Sequence, residues 1–266
     1  MTVPPLTLLY VPGDRPERIE KALASRAHAV IVDLEDGVAP GAKAEARRNV
    51  AELLRRPAQK PVLVRVNAHD DADLEVVASL PLAGVVVPKV ERAEDLPALR
   101  PRVHALIETA AGVEAAYEIA CSGRVAGISL GESDLRSQTG ALEAGLDWAR
   151  SRIVNAAVAA GLPRPPQSVY PNVRDLDGLS RSCRRGRELG HLGRAAIHPD
   201  QLGVIEEAYL PDAREVEQAQ ATVERLAALE VGVDADGAFV DAAMLGSARQ
   251  VLELAASYGT RSGSPR

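Results

Sequence analysis

Short apolar stretches rich in β-branched residues recur along residues 7–197 of this chain, and helical stretches lie between most of them. The apolar stretches cover residues 7–11, 29–34, 62–66, 84–90, 103–107, 125–130, 168–173 and 194–197. Segments rich in Ala, Leu and Arg have helical spacing at 17–25, 43–54, 91–99, 113–121, 147–160, 178–189 and 201–208. Strands that alternate with helices predict an α/β fold with a parallel sheet, and eight repeats favour a (β/α)8 TIM-type barrel.

A doubly wound open sheet is the alternative fold with the same alternation. No GxGxxG motif follows the first apolar stretch, so a dinucleotide site of that fold has no support. Beyond residue 210 the pattern changes, because one helix is predicted from Pro211 to about Glu230 and a second one at 242–258. We therefore expect a barrel over residues 1–210 and a C-terminal helical extension, an arm or lid with a loose tail, over 211–266.

Composition narrows the classes of function. The chain has 266 residues, 46% of them hydrophobic, and can bury a large core. Its formal net charge of −6 argues against nucleic acid or an anionic membrane surface as the main partner. The two cysteines form no CxxC pair, and neither a signal peptide nor a membrane-spanning stretch is recognisable. We therefore expect a cytoplasmic enzyme that acts on a small molecule.

Charged side chains follow most of the predicted strands at their carboxyl ends. Arg15 follows the first strand, a run of acids at 33–36 follows the second, Arg65 ends the third and Lys89 the fourth. In a (β/α)8 barrel these ends meet at one rim, which is where such enzymes have their active sites. Cations and carboxylates that converge there predict a site for an anionic substrate held with a metal ion.

Glu108 and Asp134 are the candidate metal ligands. They follow the fifth and sixth predicted strands and lie one strand–helix repeat apart. Two carboxylates without nearby His or Cys suit Mg²⁺, which keeps several waters and takes further oxygens from its substrate. Two alternatives stay open, since Glu108 can form a salt bridge with Arg65 and Asp134 can cap a short helix.

Seven short motifs, in this order, resemble one known family. They are LYVPGDRPER at 9–18, DLEDGV at 33–38, RVN at 65–67, VPK at 87–89, ET at 108–109, GESDL at 131–135 and IHP at 197–199. Together they are similar to the citrate lyase β-subunit-like branch of the HpcH/HpaI aldolase family. The resemblance extends from residue 6 to about residue 258.

This resemblance implies a (β/α)8 barrel, commonly a homotrimer, that uses Mg²⁺ to make or break a carbon–carbon bond in a 3-hydroxyacyl-CoA thioester. Typical family substrates are citryl-, malyl- or citramalyl-CoA, so the partners would be a CoA thioester and a small keto acid. The resemblance assigns Glu108 and Asp134 as the Mg²⁺ ligands, with Glu108 also facing the substrate. It assigns Arg65 as the catalytic group that holds a carboxylate or keto oxygen of the substrate.

Supporting roles follow from the same resemblance. Glu35 and Asp36 would take hydrogen bonds from water at the metal, or would fix Arg65. Arg15 and Lys89 would add positive charge around the keto acid. For Lys89 the alternative is a structural ion pair with the acids of the second strand.

Asp241 is the candidate acid/base residue. The segment GAFVD at 237–241 resembles a short lid motif of the family, in which a glycine-led turn presents an aspartate, often to the active site of the adjacent subunit. The alternative is that Asp241 only caps the helix predicted from residue 242.

The motifs favour a reversible Claisen-type cleavage, and three other functions remain as alternatives. A class II aldolase would act on free hydroxy-keto acids with a similar barrel and metal. A malyl-CoA thioesterase could use the same site with water as the attacking group. A non-catalytic subunit of a larger lyase complex would need none of the proposed catalytic residues.

Overall fold

The computed structural model describes residues 3–99, 102–228, 232–233, 239–240 and 242–261. The chain divides into two compact units. One is formed by residues 4–205, and the other by residue 3 and the residues from 206 onward.

The first unit is built around a seven-stranded sheet whose strands are all parallel. Its strands are β1 (Thr7–Pro12), β2 (Ala29–Asp33), β3 (Val62–Arg65), β4 (Gly84–Val87), β5 (Val103–Ile107), β6 (Val125–Leu130) and β7 (Arg194–Ala196). The strand order is β6-β5-β4-β3-β2-β1-β7. The prediction of an α/β fold with a parallel sheet is confirmed.

The seventh predicted strand, at 168–173, is wrong. Residues 168–173 form no strand, and an isolated bridge joins the preceding residue, Gln167, to Arg194 of β7. Gln167 donates its backbone N–H to the Gly193 carbonyl over 2.9 Å and accepts from the Ala195 N–H over 3.0 Å. Prolines at 163, 165, 166 and 171 remove backbone donors around this point, so a continuous strand ladder cannot form.

Helices alternate with the strands. The first unit contains α1 (Pro16–Ala24), α2 (Lys43–Leu53), α3 (Asp71–Ala78), α4 (Ala110–Glu114), α5 (Ala116–Cys121), α6 (Glu132–Thr139), α7 (Asp147–Ala159) and α8 (Leu176–Glu188), and α9 (Asp200–Tyr209) crosses into the second unit. Short 3₁₀ helices occur at Pro40–Ala42, Ala93–Asp95 and Glu143–Leu146.

The helix predicted at 91–99 is wrong. Only the short 3₁₀ helix Ala93–Asp95 forms there, and Asp95 accepts the backbone N–H groups of Glu91 and Arg92. Pro97 follows and disfavours helical geometry for the residue before it. Helix α3, in contrast, forms where no helix is predicted, and α6 begins at Glu132 with Gly131 as its N-cap, so the alternative that Asp134 caps this helix is wrong.

One face of the sheet carries a continuous apolar cluster. Its buried members are Leu8, Ala29, Ile31, Leu63, Val86 and Leu106, with Tyr10 packed against them. Side chains alternate between the two faces of a strand, so the next positions on this face are Asp33 of β2, Arg65 of β3 and Glu108 just after β5. The apolar cluster thus leads directly to a group of charged side chains at the carboxyl edge.

The second unit consists of helices and one small hairpin. It contains α10 (Ala213–Ala228), a two-stranded antiparallel pair of β8 (Gly232–Val233) and β9 (Phe239–Val240), and α11 (Ala242–Tyr258). Arg261 donates to Asp212 over 2.7 Å, which joins the end of this unit to the start of α10. In the part of the chain that the structure describes, we find no helix that is both long enough and apolar enough to cross a bilayer.

Candidate active site

Arg65 lies in the middle of the charged group at the carboxyl edge of the sheet. Its Nε and Nη2 donate to the two carboxylate oxygens of Asp33 over 2.7 and 2.6 Å. Its Nη1 lies 2.9 Å from Oε2 of Glu35, and the guanidinium carbon lies 5.1 Å from the centre of the Tyr10 ring. Burial acts to lower the pKa of Arg65, but the hydrogen bonds and charge of Asp33 outweigh it and raise that pKa. Arg65 is therefore a permanently charged and firmly oriented cation.

Asp33 accepts four hydrogen bonds. Besides those from Arg65, its Oδ1 accepts the backbone N–H of Glu35 over 2.9 Å and its Oδ2 accepts that of Gly37 over 2.8 Å. A Cβ at Gly37 would lie 2.5 Å from Asp33 Oδ2, so this turn requires glycine. Asp33 thus joins Arg65 to the loop that carries Glu35.

Glu108 is buried beside this group, with 4% of its surface exposed. Its Oε1 accepts the backbone N–H of Lys89 over 3.0 Å. A Cβ at Gly131 would lie 2.5 Å from Glu108 Oε2, so only glycine leaves room for the carboxylate. Burial, followed by the negative charges of Glu35 and Asp134, raises the pKa of Glu108 to about 7. These carboxylates are therefore close enough to repel one another.

Lys89 has a left-handed backbone, with φ of 57°. This conformation is uncommon for a residue with a side chain, and it accompanies the backbone hydrogen bond to Glu108. The Lys89 ammonium is half-exposed and lies 3.5 Å from Oε1 of Glu35. Burial acts to lower the pKa of Lys89, but the carboxylates around it, Glu35 first, raise it. The structure thus contains the ion pair between Lys89 and an acid after the second strand that was given as the alternative role of Lys89.

Asp134 lies in the first turn of α6 and is partly exposed. Two contacts fix α6 in place. Arg150 donates to both carboxylate oxygens of Glu132 over 2.9 and 2.6 Å, and the Ala110 N–H donates to Gln138 over 2.7 Å. The structure therefore holds the elements that carry Glu108 and Asp134 side by side.

The structure gives the remaining predicted site residues different surroundings. Arg15 is largely exposed and lies 3.7 Å from Asp14, outside the contacts of the Arg65 group that the structure describes. Asp36 is exposed, although its charge raises the pKa of Glu35, for which burial is the main cause. Asp241 lies outside the described residues, so its role stays a prediction.

A divalent cation fits the donor set around Glu108. Oε2 of the buried Glu35 has no hydrogen-bond donor in the described structure, and Glu108, Glu35 and Asp134 repel one another. The side chains that converge here offer oxygen, which suits Mg²⁺ better than zinc. Among the described residues, no group of three or more His, Cys, Asp or Glu side chains is arranged to hold a metal. Such a group is not required for Mg²⁺, because this ion usually binds through only one or two carboxylates.

Comparison with known proteins identifies the family. Residues 6–199 match the family model described as HpcH/HpaI aldolase/citrate lyase. The chain belongs to this family. The resemblance drawn from the seven motifs is therefore confirmed.

Relatives within this family match nearly the whole chain. A (3S)-malyl-CoA thioesterase of Cereibacter sphaeroides is 35% identical, over 94% of this chain and 94% of its own. A citrate lyase subunit beta-like protein of Mycobacterium tuberculosis is 34% identical, over 93% of this chain and 94% of its own. The crystal structure of CitE from M. tuberculosis with magnesium, acetoacetate and coenzyme A has a TM-score of 0.83 and 32% identity, covering 94% of this chain and 97% of that one.

Sequence reasoning gave no role to Asp33, Tyr10 or Gly131. Asp33 and Tyr10 could have been found from strand alternation, because each lies two residues beyond a residue of the apolar cluster. Nothing in the sequence pattern alone indicates that Gly131 packs against Glu108.

Proposed function

We propose that this protein is a Mg²⁺-dependent carbon–carbon lyase that acts reversibly on a 3-hydroxyacyl-CoA thioester such as citryl-, malyl- or citramalyl-CoA. The observation that carries this proposal is the buried Glu108, whose carboxylate is repelled by the charges of Glu35 and Asp134 and lies beside an oriented arginine. Such repulsion is relieved when a divalent cation binds between the carboxylates. Magnesium in the crystal structure of the related CitE supports the same cofactor here.

Glu108 and Asp134 would hold the Mg²⁺. When bound, the ion would supply Lewis acidity and a template for the acid portion of the substrate. Glu35 and Asp36 would accept hydrogen bonds from water around the site, and Glu35 also holds Arg65 and Lys89.

Arg65 would bind the carboxylate or keto oxygen of the substrate and stabilise the negative charge that develops when the bond breaks. Lys89 would add positive charge next to it, and Arg15 would do so only after turning away from Asp14. Cleavage leaves an acyl thioester that needs a proton at its α-carbon, and condensation requires removal of that proton. From the family resemblance we assign this proton transfer to Asp241, in its own or a neighbouring subunit.

Thioester hydrolysis is the second candidate function, because the relative from C. sphaeroides is named a (3S)-malyl-CoA thioesterase. A thioesterase would use the same anion-binding residues, with water attacking the thioester carbonyl. It releases free thiol and leaves the hydroxy acid intact. A lyase releases a keto acid or aldehyde and an acyl-CoA without free thiol.

The test is a panel of 3-hydroxyacyl-CoA thioesters with Mg²⁺, in which free thiol and carbonyl product are measured separately. Carbonyl product without thiol supports the lyase, and thiol without carbonyl product supports the thioesterase. Glu108→Ala and an excess of EDTA should each abolish turnover. Full activity in either case would refute the metal assignment, and cleavage of free hydroxy-keto acids alone would identify a class II aldolase instead. Absence of turnover with every substrate contradicts the enzyme proposal and favours a non-catalytic subunit.

Three further proposals concern architecture and location. Closure of the sheet into a (β/α)8 barrel would run through the segment after Gln167, where the Glu132 N–H donates to the Ser168 hydroxyl over 3.3 Å. We keep the division into a barrel over 1–210 and a lid over 211–266. From the family resemblance we also propose a homotrimer, and we propose a cytoplasmic location, since both cysteines are free.

A further inference from the structure

We propose that Asp33 is a positioning residue that fixes the guanidinium of Arg65 so that only its Nη1–Nη2 edge is offered to the acid portion of the substrate. This inference rests on the proposed function, because it defines how Arg65 receives an anion. Asp33 itself does not contact the substrate in this scheme. Its effect passes entirely through the orientation of Arg65.

The carboxylate of Asp33 is completely engaged. Each of its oxygens accepts one N–H from Arg65 and one backbone N–H from the loop that follows β2. Asp33 and Arg65 are also direct partners in the pairing of β2 with β3. The carboxylate is 5% exposed, so water cannot replace these contacts readily. Charge-assisted bidentate pairs of this kind impose geometry as well as energy.

The hydrogen bonds to Asp33 determine which part of Arg65 remains available. A guanidinium has five N–H groups, and Asp33 takes the Nε–H and one Nη2–H. Nη1 forms an ion pair with Glu35 Oε2 over 2.9 Å, which engages at most one of its two N–H groups. The Nη1–Nη2 edge therefore still has donors for a carboxylate, whereas the Nε side has none. The Tyr10 ring, 5.1 Å from the guanidinium carbon, restricts rotation of the plane.

An amide cannot replace this carboxylate. In Asp33→Asn, one oxygen becomes an NH₂ group, and at either position this group would face one N–H of Arg65 and one backbone N–H of the loop. Two donors would then oppose each other, and Arg65 would lose its oriented partner. A displacement of about 1 Å in a positioning group can cost roughly 100-fold in rate. We therefore expect Asp33→Asn to lower kcat/KM about 100-fold in a protein that remains folded.

The deciding experiment is a double-mutant cycle of Asp33→Asn with Arg65→Ala. If Asp33 acts only through Arg65, adding Asp33→Asn to Arg65→Ala should lower kcat/KM no further. A further loss equal to that of the single Asp33→Asn variant would overturn the proposal. The matched control is Asp73→Asn, since Asp73 is another buried carboxylate that accepts from an arginine, Arg47, over 2.9 Å. We expect this control to keep kcat/KM within about threefold of the unmodified protein, and a loss comparable to that of Asp33→Asn would overturn the proposal.

A readout that needs no turnover separates this inference from the proposed function. In ¹⁵N NMR spectra, the Arg65 Nε–H should give a slowly exchanging signal, assigned by its absence from Arg65→Lys. Asp33→Asn should abolish that signal and weaken binding of pyruvate with Mg²⁺ about tenfold or more, while Asp73→Asn leaves both unchanged. A persistent signal with unchanged pyruvate binding refutes the role of Asp33, whatever the enzyme assays show. A lost signal in a protein without lyase or thioesterase activity refutes the proposed function but not the orientation of Arg65.

Discussion

Replacing Glu108 by Gln should stabilise the metal-free protein at alkaline pH. The folded protein raises the pKa of Glu108 from 4.5 to about 7, through burial first and then through the charges of Glu35 and Asp134. A carboxyl whose pKa is higher in the folded state favours folding fully below its unfolded pKa. This contribution is lost as the pH rises through the folded pKa, because ionised Glu108 is then held among other negative charges.

The structure gives the size of the effect. A rise of the Glu108 pKa from 4.5 to about 7 corresponds to roughly 3 kcal/mol of unfolding free energy above pH 8, as an upper limit. Glutamine has the same shape, and its oxygen can still accept the Lys89 N–H. Glu108→Gln should therefore raise the unfolding free energy at pH 8.5 by up to about 3 kcal/mol, or about 5 °C in Tm, with a gain of less than about 1 kcal/mol at pH 5.

The measurement is thermal and urea unfolding in EDTA between pH 5 and 8.5. Asp134→Asn removes one of the repelling charges and should shift the pH dependence of stability to lower pH. Glu132→Gln is a contrasting control, because Glu132 pairs with the buried Arg150, which also pairs with Glu143 and Asp147, and its loss should lower the unfolding free energy by a similar amount at every pH in this range. Added Mg²⁺ should stabilise the unmodified protein but not Glu108→Gln. A Gln variant that is less stable than the unmodified protein at pH 8.5 refutes the reasoning.

Three further predictions concern the remaining site residues. Arg65→Lys should lower kcat/KM by about 10²–10³-fold, nearly as much as Arg65→Ala, because one ammonium group cannot form the two parallel hydrogen bonds of a guanidinium. Near-normal kinetics of Arg65→Lys would show that only the positive charge of Arg65 matters. Gly131→Ala should weaken Mg²⁺ binding in calorimetry about tenfold or more, since its Cβ would lie 2.5 Å from Glu108 Oε2, whereas Gly41→Ala, with nothing within 4 Å, should not. Asp241→Asn should keep thermal stability but lower turnover by about 10²–10⁴-fold. Activity restored after subunit exchange with Arg65→Ala would place Asp241 in a neighbour's site, and an active Asp241→Asn variant would leave it only a helix cap.

Local patterns in the sequence are sufficient to predict the parallel α/β sheet. Apolar stretches separated by helices leave parallel pairing as the arrangement that buries both faces of each strand. Parallel strands also bring their carboxyl ends to one edge, so the order of strands and charges along the chain suffices to place Arg65, Lys89 and Glu108 together. The seven motifs identify the family, which the match over residues 6–199 confirms.

Errors in the predicted elements arise where neighbouring residues override apolar spacing. The stretch at 168–173 has β-branched residues, but the prolines around it remove the donors that a strand needs. The stretch at 91–99 has helical spacing, but Asp95 binds the backbone N–H groups before it and Pro97 follows. The prolines and Asp95 are visible in the sequence, but the spacing of apolar residues alone predicts a strand and a helix at these two places.

Only the tertiary structure determines which charges pair within the site. The sequence leaves Arg65 free to pair with Glu108, but the register of β2 against β3 places Asp33 opposite Arg65 and gives it both carboxylate contacts. The pKa of Glu108 likewise depends on burial and on Glu35 and Asp134, which come from different strand ends. Strand order and register are set by packing across the whole sheet, and distances between charges set their energies. The sequence by itself therefore places Arg65, Lys89 and Glu108 at one edge of the sheet, and the fold determines how they interact there.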